Sequence, residues 1–251
     1  EPQINGHAIE VRLYAEDARN GFLPVTGTLD CFEIPESRHL RVDSGVESGS
    51  EISVFYDPML AKVVAWAPTR AEAARLLSAT LLRSRIHGSI TNRDLLVRIL
   101  RHREFLDGSA DTHFLSRHDP AELGGPLPDP GAERMSALAA ALTADVERTA
   151  AKTVLRTVPS GWRNSPSQLH NVAFRGVHHP TIEIGYRFER DGSLLTSLGI
   201  AVMVCGLDSN SVGLEVEGVL GRYTVSRVGN SHHVDGPHGY CRLVELSRFP
   251  S

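Results

Sequence analysis

The sequence has little cysteine, little lysine and no long hydrophobic run. Its three cysteines, Cys31, Cys205 and Cys241, lie far apart and form no CxxC pair, which argues against a disulfide framework or a zinc site and fits a reducing compartment. Lys62 and Lys152 are the only lysines, and a GC-rich genome is the simplest explanation for the excess of arginine. No apolar stretch approaches the roughly 20 residues that a membrane helix needs, so we expect no membrane partner.

Two further features are missing at the start of the sequence. There is no initiator methionine, and the first residues show neither the basic nor the apolar region of a signal peptide. We therefore expect a cytoplasmic location and a chain that was cut from something longer.

Charge and composition narrow the possible functions. The formal net charge of −4 argues against the basic surface that nucleic-acid binding requires. Hydrophobic residues make up 41% and charged residues 22%, which argues against wholesale disorder. A chain of 251 residues is long enough for one large domain or for two of about 100–150 residues each.

A segment rich in proline and glycine divides the sequence. The prolines in residues 119–131 (DPAELGGPLPDPG) fix φ and lack a backbone N–H. The segment is therefore predicted to hold neither a helix nor a central strand. We interpret the segment as a linker. The predicted organisation is a first domain over residues 1–117, a linker over 118–130 and a second domain over 131–251.

The first domain alternates apolar and polar residues in a way that indicates strands. Residues 7–14 show the clearest period of two, and three further segments, 27–34, 51–56 and 59–66, follow. The last of these is more continuously apolar and is therefore predicted to be more buried.

Two helices are predicted after these strands. Thr69 and Glu72 form a capping box at the start of the first helix, and the second begins at Thr91 or Asn92. Its arginines are interpreted as a solvated face rather than as a phosphate site: Arg93, Arg98, Arg101 and Arg103. The first domain is thus predicted to be an antiparallel or mixed sheet with packed helices, within the α+β class.

The second domain changes from helical to strand periodicity. Residues 131–155 repeat apolar positions at steps of three and four and predict one long helix. Many short strands follow at spacings of eight to twelve residues, with a hairpin turn at Asp191 and Gly192. The pattern favours an antiparallel β-barrel curled around the helix, although a sandwich with an external helix obeys the same physics.

A search for chemistry in the residues alone finds no complete active site. Neither a GxxxxGK[ST] nor a GxGxxG phosphate loop is present, and HExxH and GxSxG are missing as well. Histidines are paired at 178–179 and 232–233, but neighbours on a strand point to opposite faces, so no metal site is predicted.

Several long motifs nevertheless resemble one family in order and spacing across residues 4–115. They resemble the biotin carboxylase C-terminal domain: 6–17 (GHAIEVRLYAED), 21–27 (GFLPVTG), 56–63 (YDPMLAKV), 86–92 (IHGSITN) and 111–115 (DTHFL). The second domain is similar to the segment that follows in α subunits of propionyl- and methylcrotonyl-type acyl-CoA carboxylases. The sharpest local match is 159–164 (PSGWRN), with weaker support from 223–225 and 246–250.

The resemblance implies a reaction and roles for a few residues. In the family, ATP and bicarbonate form carboxyphosphate, which yields the CO2 that biotin captures, and magnesium assists. Arg12 matches the arginine that stabilises the negative biotin oxygen, a role that suits a guanidinium because it stays protonated. His113 matches the histidine beside the ATP adenine, with Thr112 next to it. Without the resemblance, Arg12 would be interpreted as a surface ion-pair former and His113 as a capping or packing residue.

The resemblance also implies portions of the subunit that this sequence does not contain. The ATP-grasp portion precedes this region in the family, and a biotinyl portion follows it. Neither Lys62 nor Lys152 is flanked by the methionines of a biotinylation motif. We therefore expect a fragment of a biotin carboxylase subunit that is inactive alone, with the ATP-grasp and biotinyl portions and a carboxyltransferase β subunit as partners. The alternative is a non-catalytic scaffold that docks the β subunit, through either strand faces or the loop around Trp162.

Overall fold

The computed structural model describes residues 3, 5–151, 169–189 and 193–247. The chain divides into two compact units, Glu1–Leu127 and Pro128–Ser251. Among the described residues, no helix combines the length and the apolar character that crossing a bilayer would need. The sequence motif at 159–164 and the turn predicted at 191–192 lie outside the described residues, as do the last residues of the 246–250 match.

The first unit combines short antiparallel ladders with helices. Its strands are β1 (His7–Tyr14), β2 (Glu16–Asp17), β3 (Leu23–Pro24), β4 (Gly27–Thr28), β5 (Cys31–Glu33), β6 (Leu40–Ser44), β7 (Glu51–Ile52), β8 (Met59–Ala67) and β9 (Arg85–His87). Its helices are α1 (Arg70–Arg83), α2 (Arg93–Arg101), α3 (Arg103–Asp107), α4 (Phe114–Arg117) and α5 (Pro120–Leu123), with a 3-10 turn at Ala18–Asn20.

A three-stranded antiparallel sheet with the order β1-β8-β6 forms the centre of this unit. The period of two in β1 buries Ile9 and Val11, which pack with Val63 of β8 against α1 and α2. The alternate side chains of β1 therefore lie on the opposite, outer face of the sheet. The predicted capping box is confirmed, since the Glu72 amide donates to the Thr69 hydroxyl and the Glu72 carboxylate accepts from the Thr69 amide.

Two of the predicted strands are wrong in their extent. The strand predicted over 27–34 is broken into β4 and β5, which pair with different strands, β7 and β9. The strand predicted over 51–56 ends at Ile52, because β7 forms only a two-residue ladder with β4. Val54, Phe55 and Tyr56 beyond it are largely exposed, so alternation in that stretch did not correspond to burial.

The solvated face predicted for the arginines of the second helix is wrong for two of the four, and one of the four, Arg103, belongs to α3 rather than α2. Arg93 is buried, and its guanidinium pairs with Asp94 at 2.9 Å. Arg98 is half-buried and donates to the backbone carbonyls of residues 123, 125 and 126. Arg101 and Arg103 are exposed, as predicted.

Parts of the predicted linker are helical. Pro120 opens α5 and Pro130 opens the long helix of the second unit, which contradicts the expectation that this stretch holds no helix. The physical reason is that proline is compatible with the first helical turn, where its missing N–H removes no intrahelical bond. Asp119 and Asp129 cap the two helices by accepting from the amides two or three residues ahead.

The second unit consists of one long helix and eight strands among its described residues. The helix is α6 (Pro130–Ala150), and the strands are β10 (His170–Arg175), β11 (Ile182–Phe188), β12 (Leu194–Thr196), β13 (Met203–Leu207), β14 (Ser211–Val216), β15 (Val219–Val228), β16 (Ser231–Gly236) and β17 (Gly239–Glu245). Ala151 is the C-cap of α6, and residues 152–155 of the predicted helix lie outside the described residues.

The strands curl around α6, which confirms the predicted helix and antiparallel barrel. All neighbouring strands are antiparallel, in the order β12-β11-β10-β17-β16-β15-β14-β13, and a bridge between Leu194 and Val202 joins the two ends of the sheet. The middle of α6, residues 137–142, is fully buried. Small alanine side chains let the strands approach this helix closely from several sides, and Leu138 and Leu142 fill the core.

Candidate functional site

The outer face of the β1-β8-β6 sheet carries a row of charged side chains. Arg12 of β1 lies opposite Lys62 of β8, which lies opposite Asp43 of β6. Glu10 and Arg41 lie on the same face, two residues before Arg12 and Asp43 in their strands. We call these five residues the charged face, and their formal net charge is +1.

Arg12 presents its guanidinium to solvent on this face. Its side chain is 63% exposed, and its ion pair with Glu10 is long, at 3.5 Å between Nε and Oε1. Hydrogen bonds to Tyr14 and then to Glu10 raise the pKa of Arg12 above its ordinary value. The guanidinium therefore remains positive, and most of its surface is accessible to another anionic group.

Lys62 and Arg41 both pair with the carboxylate of Asp43. Lys62 Nζ lies 3.1 Å from one oxygen of Asp43, and Arg41 Nε lies 3.0 Å from the other. Hydrogen bonding to Arg41 and then to Lys62 lowers the pKa of Asp43, so this group stays ionised. Arg12 is therefore the cation of the charged face that is least neutralised by its neighbours.

Asn92 fixes the backbone from which Arg12 projects. Its side-chain amide donates to the Arg12 carbonyl at 3.2 Å, and its side-chain oxygen accepts from the Tyr14 amide at 3.0 Å. The sequence suggested Asn92 as a helix cap and as the last residue of the motif at 86–92. Its side chain makes no capping bond, because it bonds instead to β1, 78 and 80 residues away in the chain. A buried, long-range role of this kind leaves no local signal in the sequence.

His113 and Thr112 lie together at the start of α4. Both are exposed, and the His113 Nδ1 atom is 3.4 Å from the Thr112 hydroxyl. The imidazole makes no capping bond to α4, although the His113 amide donates to Asp111 at 3.0 Å. The described structure shows no hydrogen bond or ion pair between His113 and Arg12, so it does not join these candidate residues into one constellation.

The second unit exposes apolar side chains on the outside of its barrel. Met203 of β13 and Leu220 of β15 both lie opposite Glu215 of β14, on the outer face, and both are exposed. We call these three residues the outer strip. The sequence suggested two docking surfaces, a strand face and the loop around Trp162. The outer strip is an exposed strand face within the described residues, whereas the Trp162 loop lies outside them.

Two family models match the chain. The model described as "Biotin carboxylase C-terminal domain" matches residues 10–117. The model described as "Methylcrotonyl-CoA carboxylase, alpha-subunit, BT domain" matches residues 132–248. Arg12, Asn92, Thr112 and His113 fall in the first match, and the outer strip falls in the second.

Relatives show the same two-part similarity. The mitochondrial methylcrotonoyl-CoA carboxylase subunit alpha of Arabidopsis thaliana is 34% identical over 221 residues, which is 79% of this chain and 30% of that protein. The propionyl-CoA carboxylase alpha chain of Ruegeria pomeroyi is 35% identical over 170 residues, 59% of this chain and 25% of that protein. The chain thus spans less than a third of the length of either relative.

Solved structures resemble part of the chain. The biotin carboxylase domain of Hydrogenobacter thermophilus 2-oxoglutarate carboxylase, solved with MgADP and bicarbonate, is 34% identical, covers 47% of this chain and 26% of that one, and gives a TM-score of 0.46.

Proposed function

Because the chain belongs to the family of biotin-dependent acyl-CoA carboxylase α subunits, we propose that its first unit completes a site for the carboxylation of biotin. The observation that carries the proposal is the exposed guanidinium of Arg12 on the charged face, within the part matched by the biotin carboxylase model. ATP, bicarbonate and magnesium are the proposed co-reactants of the whole subunit.

The proposed role of Arg12 is electrostatic. Biotin, when bound, supplies the ureido nitrogen that takes up the carboxyl group, and its ureido carbonyl oxygen becomes more negative during that step. A guanidinium fixed on a β-strand can stabilise such an oxygen without reorganising, because its charge and its planar donors are already in place. The 63% exposure of the Arg12 side chain fits this role, because a buried or fully paired arginine could not reach a ligand.

His113 and Thr112 are proposed to contact the adenine of ATP. Their exposed imidazole and hydroxyl can exchange hydrogen bonds with the edge of a purine, since each offers both donor and acceptor capacity. The phosphates and magnesium are proposed to bind to the ATP-grasp portion of the same subunit rather than to these two side chains.

This proposal is tested by comparing the purified chain with a whole subunit that contains it. The whole subunit is expected to hydrolyse ATP in a bicarbonate-dependent way and to carboxylate free biotin, whereas the chain alone is expected to do neither. The physical reason is that Arg12, Thr112 and His113 can complete a site but do not themselves hold ATP and bicarbonate together. Bicarbonate-dependent ADP release from the chain alone, or an inactive whole subunit, would contradict the proposal.

For the second unit we propose docking to a carboxyltransferase β subunit. The match to a BT domain of a carboxylase α subunit supports this function, and the outer strip supplies a described surface for it. Exposed Met and Leu side chains on β13 and β15, the two strands that flank β14, are suited to burial against an apolar surface of a partner. This scaffold role is compatible with the proposed catalytic one, since each belongs to a different unit.

Docking is tested by immobilising the full chain and measuring binding of a methylcrotonyl-type carboxyltransferase subunit by surface plasmon resonance. The double variant Met203→Asp/Leu220→Asp is expected to weaken binding at least tenfold, because it introduces charges into an interface that must be desolvated. Val228→Asp is the matched control, since Val228 is an equally exposed apolar residue of the same strand.

A second variant separates the two candidate surfaces. If deleting residues 157–170 abolishes binding while the double variant binds normally, the loop around Trp162 is the docking element and not the outer strip. If the unaltered chain does not bind, docking by this unit is refuted.

A further inference from the structure

Three potential metal ligands converge in the first unit, and none of them belongs to the charged face. They are His102, Glu104 and His118, whose ligand atoms all lie within 4.8 Å of one another. His118 Nε2 is 2.7 Å from Glu104 Oε1, and the two imidazole rings are 4.4 Å apart between centroids. The spacing of residues 102, 104 and 118 does not match a metal-binding motif such as HExxH. The sequence therefore predicted no metal site.

Two helix ends build this cluster. His102 is the N-cap of α3 and accepts from the Glu104 amide at 3.3 Å, while His118 is the C-cap of α4. The buried ring of Phe114 lies against both histidine rings, at centroid distances of 5.0 Å and 4.6 Å. The two imidazole rings thus pack against an apolar side chain, and each of the three ligands is partly buried.

The charge around the cluster is compatible with a cation. Arg117 pairs with both Glu104, at 2.7 Å, and Asp111, at 2.8 Å. One arginine between two carboxylates leaves this group with a net charge of −1 when the imidazoles are neutral. Arg117 contacts Oε2 of Glu104 and His118 contacts Oε1, so one carboxylate oxygen lies on the histidine side of the cluster.

We propose that His102, Glu104 and His118 form a binding site for a divalent transition metal, of which zinc is the best-fitting example. Two imidazoles and one carboxylate are a typical three-ligand zinc set, and the fourth position is left to water or another ligand. Ligand bonds of about 2.0–2.1 Å in a tetrahedral site place neighbouring ligand atoms about 3.3 Å apart. The His118–Glu104 pair, 2.7 Å apart, therefore has to open by about half an ångström, and the more distant ligand atoms, which lie within 4.8 Å, have to close toward the same separation when the ion replaces the hydrogen-bond proton.

The site would connect α3 to α4 directly. The intervening residues include Thr112 and His113, the residues proposed to contact ATP. A bound ion would hold this segment in one conformation, because it forms three metal–ligand bonds, two to the α3 end and one to the α4 end that flank the segment. The expected effect on ATP contact by Thr112 and His113 rests on the proposed function, whereas metal binding itself does not.

The test is a titration of the full chain with zinc chloride by isothermal calorimetry, repeated with cobalt chloride by visible absorption. One tight site per chain is expected. His102→Gln, Glu104→Gln and His118→Gln are each expected to weaken that site at least tenfold, because each removes one ligand. His238→Gln is the control: the chain has 12 histidines, and His238 is exposed in a hairpin turn far along the sequence.

A further variant tests the ligand role independently of folding. Arg117→Gln removes the cation that competes for Glu104 and is expected to increase zinc affinity several-fold, an effect that a purely structural His–Glu–Arg clamp would not produce. Equal zinc binding by the unaltered chain and by His118→Gln, or weaker binding by Arg117→Gln, would overturn the proposal. The measured quantity is zinc affinity and not carboxylase activity. The proposed function and the metal site can therefore fail separately.

Discussion

Replacing Arg12 by alanine, in a biotin carboxylase subunit that contains residues 1–127 of this chain, is expected to lower biotin carboxylation about 100- to 1000-fold. The loss should appear mainly in kcat, because the guanidinium is proposed to act on charge that develops during the reaction. The stability of the protein should change little, since the Arg12 side chain is exposed and its ion pair with Glu10 is long. The measurement is carboxylation of free biotin, with urea unfolding as a check on the fold.

Arg41→Ala is the matched control for this experiment. Arg41 lies on the same charged face and its side chain is 74% exposed, but it is paired with Asp43. This variant is expected to retain most of the activity. Near-normal carboxylation by Arg12→Ala would refute the assigned role, and an equal loss in both variants would assign the effect to the overall charge of the face. Arg12→Lys should recover only part of the activity, because an ammonium lacks the planar donor pair.

The orientation of Arg12 illustrates what the sequence could predict. Alternation in residues 7–14 placed Ile9 and Val11 on one face and Arg12 on the other, and the structure shows this arrangement. The prediction succeeds because the period of a strand is a local property and because one face of this sheet is buried while the other is open. The capping box at Thr69 succeeded for the same reason, since its two partners are three residues apart.

The contacts that the sequence did not reveal are those between distant segments. Asn92 reaches β1 across about 80 residues, and Glu104 meets His118 across 14. No periodicity encodes such pairs, since their spacing is set by the path of the chain and not by the geometry of one helix or strand. The barrel illustrates an intermediate case: the strand pattern allowed both a barrel and a sandwich, and closure through Leu194 and Val202 distinguishes them.

The α2 arginines show how a local pattern can mislead. An arginine on the polar side of an amphipathic helix is usually solvated, and Arg101 obeys this rule. Arg98 does not, because the chain returns over α2 after the helix ends and presents backbone carbonyls to it. The proline- and glycine-rich composition of that returning segment explains the contact, since its carbonyls lack the partners that a regular helix or sheet would supply.

Arg98→Ala is accordingly expected to destabilise the first unit by about 3–4 kcal/mol, less than the sum for three separate bonds because Arg98 is only half-buried. The guanidinium donates to the carbonyls of Leu123, at 2.8 Å, Pro126, at 2.7 Å, and Gly125. Removing it leaves three half-buried acceptors without this charged donor, and each hydrogen bond to a charged group contributes about 1.5–3 kcal/mol. The measurement is urea unfolding followed by Trp66 fluorescence in a Trp162→Phe background, so that the signal reports on the first unit.

Arg101→Ala serves as the control on the same helix, and its exposed side chain predicts a change within about 0.5 kcal/mol. Arg98→Lys should restore less than half of the lost stability, because one ammonium cannot reach three carbonyls in the way a forked guanidinium does. The local effect should also appear as faster proteolysis within residues 118–127, since Arg98 and the bond from the Leu127 amide to Asp94 hold this segment on α2. Equal unfolding midpoints for Arg98→Ala and Arg101→Ala would show that the contact adds nothing to stability and that the solvated-face interpretation was adequate after all.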